Sequence, residues 1–158
     1  MQTSDGGYIV VGATSFGLGF LGGGWAYDFW VLKLDSQGNI QWQKTYGGWS
    51  YDDVVRVRQT SDGGYILGGF TQSFGSGPQD MLVIKLDSQG NIQWAKTYGG
   101  MGYELGGYII QTQDGGYIVS GSTTSFGAGG WDLLVLKLDP NGNIQWAKTY
   151  GGSANEYP

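Results

Sequence analysis

Neither cysteine nor histidine occurs in the 158 residues. Without cysteine there is no disulfide, thiol nucleophile, thiolate metal site or haem attachment through Cys. Without histidine the commonest general base and the commonest zinc ligand are gone. Proline is limited to three residues and charged side chains to 13%. Lys and Arg number only 8 against 13 Asp and Glu, a formal net charge of -5. That balance argues against a chain that tracks the phosphates of a nucleic acid. No apolar run approaches the ~18 residues of a membrane helix, so membrane insertion is not expected. The start, MQTSDGGYIV, has no basic stretch followed by an apolar one, so no signal peptide is visible. No Asn-x-Ser/Thr sequon occurs.

Glycine is abundant instead: 32 residues, alongside 15% aromatics. Typical glycine usage is ~7%, and disordered Gly-rich linkers lack aromatics, so this composition points to turn-rich folded β-structure. The length suits one domain with a real core.

The chain is almost entirely internal repeat. Trp42, Trp94 and Trp146 stand 52 residues apart, as do Asp35, Asp87 and Asp139, and Asp28, Asp80 and Asp132. The box QTSDGGYI starts at Gln2 and Gln59 and returns as QTQDGGYI at Gln111. Its first step is 57, because repeat one carries a longer loop, Leu18 to Tyr27, before Asp28. Inside a repeat the signals are those of strands. Residues 54–60, VVRVRQT, alternate apolar and polar side chains, and SDGG supplies Asp and Gly for a tight turn. YILGGF reads as a second strand, and SFGSGPQ as a Gly/Pro loop. DMLVIKLD is apolar on both faces, as for a strand sandwiched between neighbouring sheets. SQGN turns the chain into NIQWAKTY, the fourth strand.

The expected architecture is therefore all-β, with three four-stranded antiparallel repeats. A repeat of ~50 residues and four strands is the pattern of a β-propeller blade, whereas a parallel β-helix uses much shorter repeats. The blades are expected near residues 1–48, 49–100 and 101–152, with 153–158 starting a further strand. A closed propeller needs ~4 to 8 blades, so three would leave an open arc. Open edges pair with other chains. Head-to-tail self-association, closing as a ring or continuing as a filament, or docking to adjoining repeats, is the expectation.

The stretch QTSDGGYIVVGATSFG…D…LKLDSQGNIQWAKTYGG resembles the β-propeller repeats found in tandem in secreted and cell-surface proteins of bacteria and archaea. The resemblance covers all three repeats. It implies a non-enzymatic structural role outside the cell or at its surface. LDSQGNIQW also resembles the tryptophan-docking motif of quinoprotein-type propellers, whose cofactor-binding residues have no counterpart here. No cofactor, metal or catalytic residue is implied.

Several constellations that resemble sites have simpler readings. The Asp35, Gly38, Asn39 set and its copies offers one carboxylate, where calcium wants six to eight oxygens; a hairpin turn with Asp35, Asp87 and Asp139 as caps explains it. Lys33, Lys85 and Lys137 lack a specified desolvated pocket, so ion pairing or a solvated strand edge is expected. Asp52, Glu104 and Glu156 recur after each Gly-Gly and are expected to cap their own loops one blade apart. Trp42, Trp94 and Trp146 are expected to be packing anchors. Side chains that break the repeat are the better candidates for binding: Phe20, Trp25 and Tyr27 in the long loop, Trp49 with Tyr51, and Trp131. Exposed, they would stack on glycans in a lectin-like propeller or meet a protein partner. Otherwise they cover the gaps between blades.

Overall fold

The structure is a computed structural model; it describes residues 1–17 and 25–157, with backbone alone at 16, 17 and 25. Eleven strands follow in chain order: β1 (Tyr8–Gly17), β2 (Trp25–Leu34), β3 (Ile40–Tyr46), β4 (Asp52–Gln59), β5 (Tyr65–Thr71), β6 (Asp80–Leu86), β7 (Ile92–Tyr98), β8 (Glu104–Gln111), β9 (Tyr117–Thr123), β10 (Asp132–Leu138) and β11 (Ile144–Tyr150). Each pairs antiparallel with its chain neighbours in one of three sheets: β1–β3 (sheet I), β4–β7 (sheet II) and β8–β11 (sheet III). No helix occurs among the described residues. Sheet I has three strands; at its open edge Gln2 makes a single antiparallel bridge to Tyr8.

Local chemistry explains the meander. In the Asp-Gly-Gly turns Asp5, Asp62 and Asp114 accept the amide of the second glycine (3.0, 3.0 and 3.1 Å), while the first glycine sits at φ 80 or 81. A side chain would be strained there. Asp35 caps the next hairpin by accepting the amides of Gln37 and Asn39 at 2.9 and 2.8 Å. Asp87 and Asp139 do the same in their repeats.

Two apolar layers hold the sheets together. Between sheets I and II lie Phe29, Val31, Val57, Leu67, Leu82 and Ile84. Between sheets II and III lie Ile66, Met81, Val83, Ile109, Val119 and Leu136. Sheet II is covered on both faces, so β6 is buried at every position. The near-identical β10 alternates buried and half-buried residues, because sheet III has one covered face. Sheets II and III meet so closely that a methyl group on Gly68 would overlap the Gly107 carbonyl. Gly107 is the extra residue of a bulge in β8, between Gly106 and Tyr108. Among the described residues the stack is open: sheets I and III each leave one face uncovered.

One expectation is corrected. The stretch Leu18 to Tyr27 was expected to be loop, but Trp25, Ala26 and Tyr27 belong to β2, paired with Gly17, Phe16 and Ser15 of β1. Aromatic and hydroxyl residues suit strands, so the insertion lengthens the hairpin before it turns. Phe20 and the Trp25 side chain lie outside what is described.

Candidate functional site

The same joint is built twice. Trp42, on β3, sets its ring edge-on against Tyr65 of the next sheet, with centroids 5.9 Å apart. Its indole N–H donates to the Ser88 carbonyl (3.2 Å), the Tyr46 hydroxyl to the Gly90 carbonyl (2.6 Å) and the Lys44 ammonium to Asn91 Oδ1 (2.8 Å). These three donors share one face of β3 because alternate residues of a strand do. One repeat later Trp94 meets Tyr117 at 5.9 Å and donates to the Pro140 carbonyl (3.2 Å). Tyr98 donates to Gly142 (2.7 Å) and Lys96 to Asn143 Oδ1 (2.7 Å). Burial pushes the Tyr46 phenol up to about 12 and Tyr98 higher still, so both stay protonated donors.

Each end of the stack carries half of this joint. On sheet III the donors Trp146 and Tyr150 are 41% and 51% exposed, and Lys148 lies over the Trp146 ring at 5.9 Å. On sheet I the receiving half is free: Tyr8 is 39% exposed, and a methyl group at Gly38 would meet nothing, whereas at Gly90 or Gly142 it would touch a tryptophan ring. Gly12 tells the same story. A methyl group there meets no atom, while the equivalent Gly69 and Gly121 face Phe29 and Met81 of the preceding sheet. So Trp42 and Trp94 are packed anchors, and Trp146 is the same anchor without a sheet to dock on.

All three lysines are paired, Lys33 and Lys85 buried and Lys137 half-buried. Lys33, Lys85 and Lys137 meet Asp5, Asp62 and Asp114 at 2.8, 2.9 and 2.8 Å. Their partner is the aspartate of the Asp-Gly-Gly turn on the neighbouring strand, not the Asp two residues along, and Lys33 is 3% exposed, which excludes the solvated edge. Burial raises the Asp62 carboxyl, but hydrogen bonds from Thr60, Lys85 and Gly64 outweigh it and bring it down to about 2.

The recurring acids do more than cap. Asp52, Glu104 and Glu156 accept the amides of Gly48, Gly100 and Gly152 at 2.7, 3.1 and 3.3 Å. Each also faces an aspartate of the preceding sheet: a methyl group on Gly47, Gly99 or Gly151 would overlap Asp28 and Asp52, Asp80 and Glu104, or Asp132 and Glu156. Burial pushes the Asp28 carboxyl up, and the Asp52 charge adds to it. Burial likewise raises Asp80, with Glu104 adding to the effect against the hydrogen bond from the Gly77 amide. The members stand 24 residues apart, so only the stacking of sheets reveals the pairing.

Of the repeat-breaking aromatics, Tyr27 packs edge-on against Tyr51 (5.2 Å), and Tyr51 stacks on Phe70 (5.8 Å). Trp131 lies between Tyr103 and Tyr157 at 6.5 and 6.2 Å. Tyr27 and Tyr51 meet across the gap between sheets I and II, whereas Trp131 packs against the loop before β8 and the tail after β11. Trp49 alone of the described candidates is open, at 81% exposure. A different repeat-breaking set went unremarked in the sequence: Arg56 and Arg58 replace the residues that stand as Tyr108 and Ile110 in the next sheet, and the Arg56 guanidinium lies over the Tyr108 ring at 5.3 Å. Comparison with known proteins brings no relative: no family model matches the chain, and no curated protein matches it.

Proposed function

We propose that the chain is a non-enzymatic structural module of β-propeller type, at the cell surface or outside the cell, that associates head to tail with further copies of itself. The observation that carries this reading is the half-joint at each end. Trp146, Tyr150 and Lys148 repeat the donors of the two internal joints. Tyr8, the carbonyls of Ser36 and Gly38, and Asn39 Oδ1 repeat their acceptors. A second copy docked in the internal geometry would bring Trp146 to Tyr8 and Ser36, Tyr150 to Gly38, and Lys148 to Asn39. Because donor and acceptor surfaces lie on opposite ends, the contact is heterologous, and it yields a ring if the rotation closes or a filament if it does not. The resemblance to prokaryotic surface repeats supports the blade reading and the setting.

The test is sedimentation and light scattering across a concentration series. The wild-type chain should assemble, and electron microscopy should separate rings from filaments. Trp146→Ala, which removes the plug, and Gly12→Val, which fills the receiving face at a site where the single chain has open space, should both abolish assembly. A wild-type chain that stays monomeric throughout, or assembly that survives both variants, would sink the reading.

A further inference from the structure

We propose that the groove between β4 and β8 binds an oxyanion carried on a small apolar or aromatic body, with Arg56 and Arg58 as its charge partners. These are the only two arginines in an acidic chain. They stand two apart on β4, flanking the buried Val57, so both project from one face of the strand. Neither makes an ion pair among the described residues, although Lys33, Lys85 and Lys137 each hold a carboxylate and Lys44 and Lys96 each hold an Asn carbonyl. Among the described residues the pair's one side-chain hydrogen bond runs from Arg58 to the Val57 carbonyl at 3.5 Å, the limit of such contacts. Two unpaired guanidiniums present forks of N–H donors that match the oxygens of a carboxylate, sulfate or phosphate.

The surroundings restrict the ligand further. The groove encloses about 200 Å³ and is lined by Arg56, Arg58, Tyr108, Ile110 and Ser120. Drug-sized sites begin near ~300 Å³, so a single ring or short chain fits. Tyr108 holds the Arg56 guanidinium by its ring face, which fixes the direction of the fork. Ile110, 54% exposed beside the pair, offers the apolar wall, and the Ser120 hydroxyl is a further donor. In sheet III these positions are uncharged, so the site is single where the rest of the architecture is triple. Its lining comes from sheets II and III of one copy, so it does not depend on assembly.

The chain's two arginines make the test direct, because their side chains give two Nε–H resonances, assignable with Arg56→Gln and Arg58→Gln. Phenyl phosphate, phenyl sulfate and benzoate should each shift both signals saturably, and their order of affinity identifies the oxyanion. Inorganic phosphate should bind more weakly, and phenol should not move the arginine signals. Arg58→Gln should weaken the best of these probes on the order of tenfold. The proposal fails if neither arginine signal moves with any of the three anions up to about 10 mM, the millimolar limit of weak binding. It fails equally if phenol acts like phenyl phosphate, or if Arg58→Gln leaves the affinity of the best probe unchanged.

Discussion

Replacing Tyr98 by Phe removes a single oxygen from the joint between sheets II and III, and the equivalent Tyr46 and Tyr150 supply the controls. The Tyr98 hydroxyl is buried and donates to the Gly142 carbonyl at 2.7 Å. Its loss forfeits the bond and leaves that carbonyl without its partner in a dry interface. A net hydrogen bond is worth about 0.5–1.5 kcal/mol, and an orphaned buried acceptor costs about 1–3 kcal/mol, so Tyr98→Phe should destabilise by about 1–3 kcal/mol. Tyr46→Phe should cost the same, since its hydroxyl donates to Gly90 at 2.6 Å in the equivalent joint. Tyr150 is 51% exposed, so Tyr150→Phe in the dilute monomer should stay within about 0.5 kcal/mol of wild type. Urea unfolding followed by tryptophan fluorescence measures all three, with the slope checked for constancy. The reasoning is refuted if Tyr98→Phe is neutral, or if Tyr150→Phe costs as much as Tyr98→Phe in the monomer.

Two further outcomes follow from the packing and the buried charges. Gly68→Ala drives a methyl group into the Gly107 carbonyl, backbone against backbone, and should destabilise by about 1–3 kcal/mol or more, while Gly12→Ala meets nothing and should be near neutral; thermal melts of the pair decide it. For pH, Asp28 and Asp80 hold raised folded values, so their contribution is fully present below the ordinary 3.8 and is lost as pH rises through the raised value. Asp62 is lowered to about 2 by the hydrogen bonds from Thr60, Lys85 and Gly64, so its contribution is present above 3.8 and is lost as pH falls toward about 2. Stability should therefore rise from neutral pH down to about 4 and fall below it, and Asp80→Asn should flatten the first limb; a wild-type melting temperature that is flat or falls over that first limb contradicts this.

Much of the fold was legible because its causes are local. Alternation in VVRVRQT, the double-sided apolar run DMLVIKL, and Asp-Gly turn chemistry each specify a strand or hairpin from neighbours along the chain. The 52-residue step then multiplies one unit by three. The long hairpin of repeat one escaped because glycine-rich sequence reads as loop, whereas Trp25–Tyr27 find strand partners across the hairpin.

What the sequence by itself determined is the strand order, the turns and the identity of the recurring anchors, since those depend on side-chain period and on backbone geometry at Gly and Asp. Only the tertiary structure decided which repeated residues meet. Lys33 pairs with Asp5 across a strand instead of with Asp35 nearby. Asp28 faces Asp52 because two sheets stack. Arg56 and Arg58, ordinary as alternating strand residues, become an unpaired cationic fork once β8 brings Tyr108 beside them. Trp146 differs from Trp42 and Trp94 in having no sheet packed against it, which leaves it 41% exposed. Contacts between sheets join residues dozens of positions apart, and no local pattern along the chain encodes which faces come together.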